Sequence, residues 1–60
     1  MSLKKSRLEM NLTQEDMARA LGITLRAYQG MEKRNDAKVK IALNISTILN
    51  KSIEEIFKEN

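Results

Sequence analysis

The sequence predicts an all-helical domain, and three features predict it. Proline is absent, helix-forming residues are plentiful, and the β-branched residues show no strand-like alternation. At 60 residues the chain suits one domain over residues 1–60 with a small core. Hydrophobic residues at 42% and charged residues at 32% are ordinary for a globular protein. No apolar run approaches the ~18 residues of a membrane span. Met1 to Lys5 leads into charged residues and not into a signal-peptide-like apolar stretch. Cysteine is absent, which removes disulfide and thiol chemistry, and the expected location is the cytoplasm.

The element boundaries follow from caps and stops. Leu3 to about Met10 forms the first helix, and Asn11 ends it in the left-handed conformation that asparagine tolerates. Thr13 opens the second with the capping-box pattern Thr-x-x-Asp, in which Thr13 and Asp16 satisfy each other's backbone N–H groups. Glu15 and Asp16 also sit where the helix dipole favours negative charge. Gly22 stops this helix after Leu21 by supplying a positive φ without steric penalty. Thr24 caps a third helix reaching Glu32 or Lys33. In "KRNDAK", Asn35 or Asp36 is expected to cap a fourth helix from Ala37 to Leu49, with Asn50 as its stop. Ser52 opens a last helix with the box Ser-x-x-Glu, through Ile53, Ile56 and Phe57.

The stretch "LTQEDMARALGITLRAYQGME" carries most of the functional signal. Met17, Ala18 and Leu21 give the second helix a buried face, and Tyr28 and Met31 do so for the third. Ala18 is small where two helices crossing over a short turn come closest, which favours a helix-turn-helix, at about residues 14–33, over a flat hairpin. Leu25, Arg26, Gln29 and Gly30 then fall on the outer side of the third helix. Formal net charge is +3, and residues 1–34 account for it, with seven basic side chains against four acidic ones. That bias is compatible with a polyanionic partner, although a solvated surface would carry it equally well.

"LTQEDMARALGIT", "YQGME" and "ALNISTILNKSIEEIF" together resemble the helix-turn-helix domain of lambdoid-phage repressor and Cro proteins, the XRE family. The resemblance covers about Leu3 to Phe57. It implies a five-helix lambda-repressor-like fold whose second helix crosses the DNA backbone and whose third, about 24–32, enters the major groove. Thr13 and Gln14 match phosphate-contacting positions, and Lys33, Arg34 and Asn35 match the phosphate-contacting loop after the third helix. Leu25, Arg26 and Gly30 match base-reading positions, with Gln29 close by. Arg7 and Glu32 match an ion pair joining the first helix to the third. Two departures stand out: Leu25 and Gly30 replace polar readers, and "KRNDAK" is about one residue shorter than usual and lacks the common glycine and proline.

Each position also has a plainer reading. Arg26 is suited to a bidentate contact with guanine, Leu25 to a thymine methyl or simply to the surface, and Thr13 is needed as a cap in any case. The fourth helix is apolar on too many sides, with Val39, Ala42, Leu43, Ser46 and Leu49 in one stripe and Ile41, Ile45 and Ile48 beside it. Either these residues fill the core, or Ile48, Ile56 and Phe57 supply a dimer contact. Histidine and cysteine are absent and no phosphate-cradling glycine loop occurs, so no catalytic, metal, cofactor or small-molecule site is expected. The expectation is a sequence-specific regulator of transcription, a repressor, binding an inverted-repeat operator in double-stranded DNA as a homodimer. The alternative is a helical protein-interaction module such as an antitoxin.

Overall fold

The computed structural model describes residues 2–57, and every regular element among them is an α-helix. The order is α1 (Leu3–Glu9), α2 (Gln14–Leu21), α3 (Leu25–Arg34), α4 (Val39–Leu49) and α5 (Ile53–Phe57). The fold is thus the five-helix, lambda-repressor-like arrangement. Four helices stop in the same way. Asn11, Gly22, Asn35 and Asn50 take positive φ of 58°, 68°, 53° and 53°. In each case the next N–H turns back to a carbonyl five residues earlier: Leu12 to Arg7, Ile23 to Ala18, Asp36 to Met31 and Lys51 to Ser46. The starts are equally explicit. Ser2, Thr13 and Thr24 accept an N–H from the first turn of α1, α2 and α3, and Thr13 and Asp16 form the reciprocal box.

The exception is α4. It begins at Val39 rather than Ala37, and its preceding residue Lys38 makes no side-chain cap. Asn35, expected as a candidate cap of this helix, instead ends α3, which runs on to Arg34. Its amide explains the reassignment: Oδ1 accepts from Leu3 N–H at 2.8 Å, and Nδ2 donates to the Phe57 carbonyl at 3.3 Å. One side chain ties the start of α1 and the end of α5 to the end of α3.

The core is Leu3, Met17, Ala18, Tyr28, Met31, Ile45, Leu49 and Ile56, with Ala42 also buried. Each helix contributes at least one of these, so no helix is dispensable. Ala18 lies where α2 packs on α3, the more extensive of the helix contacts, and is small enough for them to close. Ile56 corrects an expectation: it is fully buried, so it cannot present a dimer surface. Among the described residues of α5, Ile56 is the side chain that plugs the core. The surplus on α4 emerges elsewhere, with Val39 74% and Leu43 55% exposed while Ile45 and Leu49 are buried.

One buried polar junction interrupts this apolar interior. Arg7 Nε donates to Glu32 Oε2 at 2.5 Å and Nη2 to Oε1 at 3.3 Å, while Nη1 donates to the Leu12 carbonyl at 2.6 Å. The two side chains are 7% and 5% exposed. The Tyr28 hydroxyl donates to Glu32 Oε2 at 2.6 Å and Gln14 Nε2 to Oε1 at 3.0 Å. Burial pushes the Glu32 carboxyl pKa up, but hydrogen bonds from Arg7, Tyr28 and Gln14 pull it further down, so it stays below its ordinary value. The Tyr28 hydroxyl is pushed up, first by burial and then by its bond to Glu32, and remains the donor.

Arg7→Ala and Glu32→Ala should each cost about 3–5 kcal/mol, comparable to the whole stability of a domain of this size, because each strands a buried charge. Because the folded Glu32 pKa is depressed, its contribution is complete above about pH 5 and is lost as the pH falls below the unfolded glutamate range near ~4.3. Glu32→Gln should flatten that acid limb; denaturant titrations between neutral and acid pH would show an unchanged limb if the pair contributes nothing. Asn35→Gly relieves a positive φ yet removes two hydrogen bonds worth ~1 kcal/mol each, so it should destabilise by about 1 kcal/mol. Asn50→Gly, at an exposed helix end, should be neutral or stabilising, and equal melting shifts for the two variants would contradict the assignment.

Candidate nucleic-acid interface

The third helix has two faces of opposite character. Tyr28 and Met31 turn inward, and the exposed side carries Leu25, Arg26, Gln29 and Lys33, with half-buried Gly30 among them. Positions 25, 26, 29, 30 and 33 follow the 3.6-residue period, so these groups share one stripe. Apart from Leu25 and Gly30 the stripe is polar, with cationic side chains near both ends. Arg34, at the last turn of α3, is exposed, and its guanidinium folds back over the helix. A Cβ on Gly30 would lie 3.0 Å from Arg34 Nη1, so the glycine leaves a seat for that guanidinium. This use of Gly30 has no sequence signature beyond the spacing of four residues.

The start of α2 stands beside the stripe. An open groove is lined by Leu8, Asn11, Thr13, Gln14, Leu25 and Gln29, among others. Thr13 is exposed and Gln14 half-buried. The capping box uses the N–H groups of Thr13 and Asp16, leaving those of Gln14 and Glu15 as the donors at this helix end. The Asp16 carboxyl is held below its ordinary pKa, first by the Thr13 backbone and side-chain hydrogen bonds. Gln29 Nε2 donates to Gln14 Oε1 at 3.2 Å, joining the two helices at the surface.

Apart from Arg34 and the expected dimer contacts, the site residues expected from the sequence fall into three groups. Leu25, Arg26, Gln29, Gly30, Lys33, Thr13 and Gln14 lie on the outer side of α3 or next to it at the start of α2. Asn35 does not join them through its side chain, because its amide is consumed inside the domain. Arg7 and Glu32 lie behind the surface and brace it. Leu8, 51% exposed on the groove rim, is a residue that sequence reasoning passed over.

Among the described residues, no cluster of acidic side chains has the makings of a metal site, and no helix is long and apolar enough to cross a membrane. Residues 3–56 match the family model described as helix-turn-helix. The chain is 41% identical over 58 residues to YqaE, an uncharacterized HTH-type transcriptional regulator of Bacillus subtilis, covering 95% of this chain and 50% of that protein. It is 39% identical over 56 residues to an uncharacterized HTH-type transcriptional regulator of Methanocaldococcus jannaschii, covering 92% of this chain and 85% of the relative. An Archaeoglobus fulgidus regulator of the same description is 32% identical over 56 residues, covering 92% and 79%. The chain thus spans half the length of the Bacillus relative and most of the two archaeal ones. Each of these relatives is described as a transcriptional regulator of the helix-turn-helix type. With matched residues 3–56 spanning all five helices and the α2–turn–α3 unit in place, the chain belongs to the XRE family of helix-turn-helix proteins.

Proposed function

We propose that this chain is a sequence-specific, double-stranded DNA-binding regulator of transcription that inserts α3 in the major groove. The observation that carries this reading is the two-sided α3: one side is fixed in the core by Tyr28 and Met31, and the other holds an exposed stripe with Arg26, Gln29 and Lys33. An α-helix fits the major groove, where each base pair presents a distinct pattern of donors and acceptors. Arg26 and Gln29 have the donor and acceptor groups to read base edges, and Leu25 offers an apolar contact for a thymine methyl. Thr13, Gln14, Lys33 and Arg34 are assigned to the phosphates, where they set position and salt dependence more than sequence. Binding over a promoter would itself block transcription, so repression is the assigned outcome, and the cytoplasm is the assigned location.

The finer assignment is a homodimer on an inverted repeat. Readout by Arg26 and Gln29 amounts to a few kcal/mol per subunit, at ~1–3 kcal/mol for each good contact, while specific regulators require ~4–10 kcal/mol over random DNA. A two-fold axis doubles the contacts. With Ile56 in the core, half-buried Ile48 and Phe57 remain for the contact, whereas exposed Val39 and Leu43 lie across α4 from Ile48. The same exposed pair favours a second reading, in which the α4 face meets a different protein, as in an antitoxin.

Selection of bound sequences from random duplexes, at several salt concentrations, tests the DNA reading. Arg26→Ala should relax base preference at one position of each half-site; an unchanged consensus refutes its role. Lys33→Ala and Arg34→Ala should weaken all duplexes alike and lower the salt slope by about one each. Sedimentation of the wild type and of Ile48→Lys, alone and with the selected operator, tests the dimer. The expected operator has half-sites about one helical turn, ~34 Å, apart. A wild type that remains monomeric on an asymmetric half-site contradicts the homodimer.

A further inference from the structure

The hydrogen bonds that converge on Glu32 continue outward to the exposed side of α3. Gln14 Nε2 donates to Glu32 Oε1 at 3.0 Å, and Gln14 Oε1 accepts from Gln29 Nε2 at 3.2 Å. An isolated surface amide has two nearly equivalent orientations, related by exchanging its oxygen and nitrogen. These two amides do not have that freedom. The ionised Glu32 carboxylate offers acceptor atoms only, so Gln14 must turn its NH2 toward it. The Gln14 carbonyl then points to Gln29, which must answer with its own NH2. The Gln29 oxygen and one remaining N–H are left to face away from the relay.

We infer that Glu32 sets the polarity of this two-amide relay, and that Gln29 consequently presents one acceptor beside one donor, the pattern complementary to N6–H and N7 of adenine. The inference rests on the proposed insertion of α3 in the major groove. The opposite polarity would send both Gln29 N–H groups outward, a pattern suited to the paired acceptors O6 and N7 of guanine. Base choice at one position is thereby determined by a carboxylate that never reaches the DNA. Gln29 is the reader and Gln14 a positioning residue. Arg7 and Tyr28 keep the carboxylate in place and negatively charged.

The test is selection from random duplexes by the wild type, Gln29→Ala, Gln14→Met and Glu32→Gln, with a thermal melt of each variant to show that it is folded. Gln14→Met keeps the length of the side chain and removes both halves of the amide. The wild type should prefer adenine at one position per half-site by roughly fivefold or more. Gln29→Ala should abolish that preference, and Gln14→Met should weaken it several-fold although Gln29 is intact, with the Arg26 position unaffected. Glu32→Gln, if folded, removes the anion and should admit guanine at the same position. If Glu32→Gln does not fold, Gln14→Met alone decides the matter. Full adenine preference in Gln14→Met overturns the relay while leaving the DNA reading intact. An unchanged consensus in Gln29→Ala, or no adenine position in the wild type, overturns the role of Gln29. Failure of the wild type to select any sequence overturns the DNA reading itself, and the adenine assignment with it.

Discussion

The Glu32 carboxylate accepts from Arg7 on α1, Gln14 on α2 and Tyr28 on its own helix, so three helices meet on one anion. Removing a charge from water is expensive, and a buried pair alone often fails to recover the cost. Here the carboxylate has several donors, and the Arg7 guanidinium has a second partner in the Leu12 carbonyl, so both ions are well satisfied. What the junction adds over an apolar plug of equal volume is direction. Hydrophobic contacts tolerate a helix that slides or rotates by a fraction of a turn; hydrogen bonds at 2.5 to 3.0 Å do not. The orientation of α3 against α2, on which any groove reader depends, is defined at this point.

Asn35 performs a comparable task at the opposite end of α3. Its backbone takes the left-handed turn that stops the helix, while its amide holds the first residue of α1 and the last of α5. The third helix is thus anchored near both ends by polar groups and along its middle by Tyr28 and Met31. Its outward side is relieved of structural duty. Leu25, Arg26 and Lys33 are exposed there, and substitutions among them are expected to disturb binding more than folding.

Helix boundaries were legible wherever one residue type has one use. Glycine at 22 and the Thr13 and Ser52 boxes mark unambiguous ends, and all three occur as the sequence implies. Asparagine is ambiguous, because its side chain accepts at a helix start and its backbone tolerates positive φ at a helix stop. Asn11 and Asn50 are each followed two residues later by a full capping box, at Thr13 and Ser52, and read correctly as stops; Asn35 stands beside Asp36 with no box after either, so the pair reads as a start. Ile56 was misplaced for another reason. A five-residue helix is too short to show a period, so nothing in Ile53, Ile56 and Phe57 alone says which of them points inward. The Gln14–Gln29 bond lies beyond sequence reading altogether, since it depends on the relative placement of two helices and not on any spacing within one.

The chain contains one tyrosine and no tryptophan, and that tyrosine is the fully buried donor to Glu32. All of the protein's near-ultraviolet tyrosine signal therefore originates at the junction of α1, α2 and α3. A phenol hydrogen-bonded to a carboxylate in a dry interior has a different emission from one in water, so the molecule carries a built-in optical label on the anion that aligns its helices. No dye or engineered probe is needed to watch that contact open and close.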